Sequence, residues 1–126
     1  IVDDELDGRE LLQSVLETAG AHIQTASSAS EAFALFQSFM PDLLISDIAM
    51  PGEDGYTLVR RVRALAPQRG GQIPAIALTA YARAEDRELA LNAGFTAHLG
   101  KPVSSEILLS TVAELARSFT RARQTV

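Results

Sequence analysis

At 126 residues, with 47% apolar and 6% aromatic content, the chain has the size of one domain built on an aliphatic core. A formal charge of −5 argues against nonspecific nucleic-acid binding by this domain, and the lack of cysteine excludes disulfides and thiolate metal sites. No apolar run approaches the roughly 18 residues of a membrane span and no signal peptide is visible, so a cytoplasmic module without membrane contact of its own is expected.

Ile1-Val2 reads as the end of a strand, with Asp3-Asp4 directly after it. The chain is therefore expected to begin within its first strand, as an excised or trimmed domain would. Leu11, Leu12, Val15, Leu16 and Ala19 recur at helical spacing over Asp7 to Ala19, and Gly20 supplies the stop. Ile23 to Ala26 reads as a short strand. Ser28, followed three residues on by Glu31, predicts a capping box. The helix it opens carries Phe33, Phe36 and Phe39 toward the core and closes at Pro41. Leu43-Leu44-Ile45 is a continuous apolar strand that ends at Asp47.

Met50-Pro51-Gly52 and Gly55 mark a loop, and Tyr56 to Leu65 reads as a helix. Gly70-Gly71 reads as a plain turn, and Arg60, Arg61 and Arg63 as a solvated helix face. Ala75 to Leu78 is a further apolar strand, ending at Thr79. A helix over Ala82 to Ala93 stops at Gly94, and a fifth strand over Phe95 to Leu99 runs into Lys101-Pro102. Ser104 or Ser105 caps a last helix whose buried face holds Ile107, Leu108, Val112, Leu115 and Phe119. Arg117 to Val126 is either the end of that helix or the start of a linker within the same single domain, 1–126.

The pattern is βα repeated five times. Strands that are apolar throughout, instead of alternating, belong to parallel sheets covered on both faces, and right-handed crossovers then give a doubly wound α/β sandwich. Ligands of such folds sit at the carboxyl ends of the strands. Asp3, Asp4, Asp47, Thr79 and Lys101 all fall at such ends, and Lys101 is the only lysine in the chain.

Three carboxylates at one edge crowd like charge, which a cation can offset. Mg²⁺ is the natural partner, because it prefers oxygen ligands and accepts phosphate oxygens. Asp47 can then be a nucleophile toward phosphorus, forming an acyl phosphate. Lys101 can hold a phosphoryl oxygen as a point charge, and Thr79 can donate to another. The chain has no glycine-rich phosphate loop. His22 and His98 lack metal-ligand spacing and read as structural.

These residues resemble the receiver domain of two-component response regulators. The resemblance rests on Val2-Asp3-Asp4-Glu5, Ser46-Asp47-Ile48-Ala49-Met50-Pro51-Gly52, Leu78-Thr79-Ala80 and Lys101-Pro102, in order, and covers essentially the whole chain. The segment from Thr79 to Val103 is most similar to receivers attached to hybrid sensor histidine kinases. The resemblance implies a flavodoxin-like fold with five parallel strands in the order 2-1-3-4-5, the first of them truncated. It also implies that Asp47 accepts a phosphoryl group from a histidine kinase or a phosphotransfer protein. Asp4, Asp47 and the backbone carbonyl of Ala49 would ligate Mg²⁺ (or Mn²⁺ in its place), with Asp3 acting through a water. Lys101-Pro102 would be a cis peptide. Thr79 would move on activation together with His98, which stands where the family often has an aromatic switch.

Ala49 and Tyr81 flank the site and supply no acid or amide to orient water, so the acyl phosphate is expected to have a moderate to long lifetime. An effector domain, in the parent chain or separate, would read the surface over 82–119, and the final helices could pair two copies. A parent protein could be membrane-anchored. Two other classes stay open on the residues. One is an aspartyl phosphohydrolase, which would need an acid-base residue where Ala49 stands. The other is a pseudo-receiver that binds partners without phosphorylation.

Overall fold

A computed structural model of the chain describes residues 1–80 and 83–124, with side chains through Phe119. In chain order the elements are α1 (Leu6–Thr18), α2 (Ala29–Phe39), β1 (Leu44–Asp47), α3 (Gly55–Arg63), a 3₁₀ turn (Pro67–Arg69), β2 (Ala75–Thr79), α4 (Ala84–Ala93), β3 (Ala97–Gly100) and α5 (Ser105–Gln124). The strands are parallel and ordered β1-β2-β3, with Leu44 opposite Ala75 and Ile76 opposite Ala97. β1 and β2 are buried at every position, as apolar runs covered on both faces must be.

The first two expected strands are reduced to single parallel bridges, Val2 to Ala26 and Val2 to Ser46. Val2 N–H donates to the Ile45 carbonyl at 2.8 Å, and Asp47 N–H returns to the Val2 carbonyl at 2.8 Å. On the other side Ala26 N–H donates to the Ile1 carbonyl and Asp3 N–H to the Ala26 carbonyl. Val2 thus lies between Ala26 and β1, in the sense that a 2-1-3 order requires, with a ladder too short to count as continuous sheet.

Two apolar clusters cover the sheet. One packs Phe36, Leu58, Val59, Val62 and Phe95 against Ala75 and Ala77 from the side of α2, α3 and α4. The other packs Leu12, Leu16 and Leu108 against Ile45, Ile76 and Leu78 from the side of α1 and α5. Alternate β2 residues face opposite clusters, which is the period of two that a pleated strand imposes.

Several sequence expectations shift. Ser28 Oγ accepts from Glu31 N–H, but the Glu31 carboxylate reaches back to Ser27. Such a cap contributes about 1 kcal/mol. Ser104 caps α5, accepting from Ile107 N–H. Leu11 and Ile107 are 63% and 52% exposed, since an apolar stripe can be wider than the face its helix buries, and Ala19 and Phe39 also lie on the surface. α3 begins at Gly55, where the Asp54 carboxylate caps Thr57 N–H, and it stops two residues before Leu65. β3 begins at Ala97, two residues later than expected: Phe95 N–H still bonds back to the Ala90 carbonyl in the turn out of α4, while Thr96 N–H already donates to the Ala75 carbonyl of β2. α4 begins at Ala84, while the expected start at Ala82 lies outside the described residues. α5 continues through Arg117 as far as Gln124.

Arg63 departs most from expectation. It is no solvated side chain: its guanidinium donates to the carbonyls of Gly94, Gly71 and Ile73 at 2.8, 3.0 and 2.6 Å. Burial pulls its pKa down from the ordinary value, and the three carbonyls supply the charge-assisted bonds that keep it there. Gly94 has φ +127°, and a Cβ there would sit 2.8 Å from Arg63 Cγ, so its lack of a side chain serves both the turn and the clamp. Arg60 and Arg61 stay at the surface, where Arg61 bridges Glu53 at 3.0 Å and lies 4.2 Å above the Phe33 ring.

Candidate functional site

The carboxyl edge of the sheet gathers what the strands deliver. Asp47 is the last residue of β1, and the bridge at Val2 sets Asp3 and Asp4 beside it. Thr79 ends β2, and Lys101 follows β3 directly. Lys101 N–H donates to the Thr79 carbonyl at 2.7 Å, which fastens the two strand ends to each other. The Lys101-Pro102 peptide is cis.

The side chains converge as well. One carboxylate oxygen from each of Asp3, Asp4 and Asp47 lies within 4.8 Å of the others. Lys101 Nζ sits 3.0 Å from Asp47 Oδ2 and 3.7 Å from Asp3 Oδ2. Asp3 and Asp47 are buried to 1% and 4% exposure, whereas Asp4 is open to solvent. A wall of buried carboxylates faces one exposed carboxylate and one ammonium.

Electrostatics follow from that arrangement. Burial pushes the Asp47 carboxyl above its usual range. The Lys101 ammonium pulls it back, and the charges of Asp3 and Asp4 push it further up. Burial alone would lower the Lys101 pKa. Its bond to Asp47 and the charges of Asp47, Asp3 and Glu5 outweigh that and raise it. The edge is short of positive charge, and all its nearby donors to a cation are oxygens. This set fits a hard divalent ion.

Local chemistry holds the acids in place. Asp3 Oδ1 accepts from Glu5 N–H at 2.9 Å, and Arg9 Nη1 donates to the Asp3 carbonyl at 2.8 Å. Arg9 escaped the sequence reading, although a basic side chain one turn beyond an acidic pair was the available signal. Gly55 lies under Asp47: a Cβ there would stand 2.5 Å from the Asp47 carbonyl oxygen, so only glycine lets the start of α3 close on the strand end. Ser46 Oγ donates to the same carbonyl at 2.8 Å.

Other expected residues lie around the carboxylates or away from them. Ala49 is exposed two residues beyond Asp47, and Tyr81 lies outside the described residues. His98 stands within β3 opposite Ala77, three residues short of the edge, and its Nε2 is buried without a hydrogen bond among the described residues. His22 is exposed at the far end of the fold.

A family model described as the response regulator receiver domain matches residues 1–113. The chain belongs to this family. The receiver is 47% identical over 119 residues to an uncharacterized 14.6 kDa protein in the sodA1 3′ region of Leptolyngbya boryana, covering 94% of this chain and 89% of that one. It is 33% identical over 123 residues to the sensor histidine kinase RcsC of Salmonella typhimurium. That match takes in 98% of the receiver but only 13% of the kinase. Among solved structures, a CheY-like receiver domain protein from Methanospirillum hungatei superposes with a TM-score of 0.87 at 28% identity, covering 96% of this chain and 94% of the other. The Vibrio cholerae chemotaxis protein CheY4 gives 0.84 at 32% identity, over 90% and 93%. The flavodoxin-like, CheY-like fold and a place in two-component signalling follow for this receiver. Receiver domains bind Mg²⁺ at an acidic pocket, and the trio of aspartates is this one's counterpart. No helix among the described residues is long and apolar enough to cross a membrane.

Proposed function

We propose that this receiver takes a phosphoryl group from a phosphohistidine donor onto Asp47 and uses it to switch a partner or an attached domain. The observation that carries the reading is Lys101 Nζ at 3.0 Å from Asp47 Oδ2, beside two further aspartates. An Asp47 oxygen attacks phosphorus, a P–O bond forms, and the P–N bond to the donor imidazole breaks. Lys101 is released from the carboxylate and holds one phosphoryl oxygen. The Thr79 hydroxyl donates to another, which draws the end of β2 toward the site.

Asp4, Asp47 and the Ala49 carbonyl would hold Mg²⁺ directly, and Asp3 through a water. Bound there, the ion neutralises charge on the phosphoryl oxygens. The phosphoryl group adds about −1.5 to −2 charges at an edge already negative, so the Thr79 and Lys101 responses bias a two-state equilibrium. Movement of Thr79 and His98 would then alter the α4, β3 and α5 surface that an effector, a kinase domain or a phosphotransfer protein reads. Ala49 offers nothing to orient an attacking water, which favours a phosphorylated form that outlasts seconds.

Intact-mass spectrometry after incubation with acetyl phosphate and Mg²⁺ tests the reading, beside an Asp47→Asn control. One added phosphoryl group is expected, absent when EDTA is present from the start and absent from the control. No added mass, with acetyl phosphate and again with a phosphorylated kinase as donor, would overturn it in favour of a module that works unphosphorylated.

A further inference from the structure

Among the described residues, two buried side-chain atoms have no hydrogen-bond partner: Asp86 Oδ2 and His98 Nε2. They belong to adjoining elements, α4 and β3. Ala97 and Leu99 pack into the cluster on the α1 and α5 side, so His98 between them points to the opposite face, where α4 and α3 cover the sheet. A buried polar atom without a partner costs about 1–3 kcal/mol. Two on facing elements, one an acceptor and one an imidazole nitrogen, are complementary to each other.

We propose that His98 and Asp86 are the halves of a latch between β3 and α4, an imidazole–carboxylate pair that closes when His98 takes up a proton and draws α4 onto the sheet. The inference rests on the receiver reading, in which Thr79 and His98 move, and gives His98 a partner that reading lacks. The step is one proton taken from water onto the imidazole. The imidazolium then donates to the Asp86 carboxylate, and both orphaned atoms are satisfied at once.

The charges around the imidazole support this. In the open arrangement burial holds the His98 pKa below its ordinary value, the Asp86 carboxylate pulls it up, and Arg87 on the same helix opposes it. Tyr56 on α3 feels the Asp86 charge and completes the polar surroundings, while β2 contributes no ionisable side chain. A shift of α4 that shortens the path from Asp86 to His98 strengthens the one attraction that favours the imidazolium. A latch of this kind makes the seat of α4 depend on pH independently of phosphorylation.

An NMR titration of the whole chain from pH 8 to pH 5, with no phosphoryl donor, tests the latch. The His98 ring resonances and the α4 amides from Arg87 to Ala93 are expected to move with one midpoint. Asp86→Asn should lower the His98 midpoint by about one unit and leave the α4 amides still. His98→Gln should abolish the α4 transition. The proposal is overturned if His98 titrates while α4 stays unmoved, if Asp86→Asn preserves the coupled transition, or if the imidazole stays neutral until the fold is lost. Acetyl phosphate labelling of the same samples keeps the two readings apart: failure to label strikes the phosphoacceptor role, and failure of coupling strikes the latch.

Discussion

At the carboxyl edge Asp3 and Asp47 are almost wholly buried, yet each has a partner: a backbone N–H for Asp3 and the Lys101 ammonium for Asp47. Across the sheet, on the α4 side of β3, Asp86 and His98 bury polar atoms without a hydrogen-bond partner among the described residues. Both regions hang on the same three strands. The difference teaches that polarity is distributed by task. Groups that must stay in register for chemistry are bonded in advance, and groups that can change partners are left unsatisfied where one helix slides. Arg63 belongs with the first kind, since all its partners are carbonyls of turns at the ends of elements.

The comparison breaks hardest at Arg63. Arg63→Met keeps the length of the stem but strands three carbonyls, and should cost about 3 kcal/mol, read as a lower midpoint of urea unfolding. An unchanged midpoint would mean that the clamp is ornamental. Lys101→Met comes next. It leaves two buried carboxylates facing each other, so a loss of about 2 kcal/mol is expected in EDTA, with part of it restored by Mg²⁺ through mass action. Equal losses with and without the ion would argue that no cation shares the site.

The smallest effect sharpens the contrast from the other side. Burial lowers the folded-state pKa of His98 below 6.5, so the native state resists protonation. Above the unfolded value both states are neutral at this residue and it imposes no penalty. As pH falls below about 6.5 the unfolded chain binds the proton first, and stability is lost down to the lower folded value. Thermal melts from pH 7.5 to pH 5.5 should show a decline that His98→Gln removes. Asp86→Asn should deepen it, because the carboxylate is the one neighbour that favours the imidazolium.

Much of this was legible from residue order alone. An apolar run ended by a polar residue fixes both a buried parallel strand and the edge at which its last side chain emerges, so Asp47, Thr79 and Lys101 could be placed together without a structure. The extent of the first two strands was not legible, because two bridge positions in a twisted sheet leave the same residue pattern as a longer ladder. Arg63 was misread because its partners lie 8 to 31 residues away and are backbone atoms, which leave no mark in side-chain composition. Leu11 and Ile107 show the limit of periodicity: it locates a helix and its apolar side but not which end of that side is covered. The apposition of Asp86 and His98 needed the packing of α4 on β3, a tertiary fact with no local signature.

Gly55 carries a consequence for anyone rewriting this domain. The missing side chain, where the Asp47 carbonyl would be only 2.5 Å from a Cβ, works as a fixed hinge pin between the strand end and α3. The stretch between the two, residues 49 to 54, includes exposed positions at 49 and 51 and can be diversified there, while Gly52, at φ +79°, holds the turn. A saturation library across 47 to 56 should therefore return many letters at 49 and 51, mostly glycine at 52, where φ is +79°, and a single letter at 55. That loop could then be rewritten without disturbing the residue beneath the acceptor.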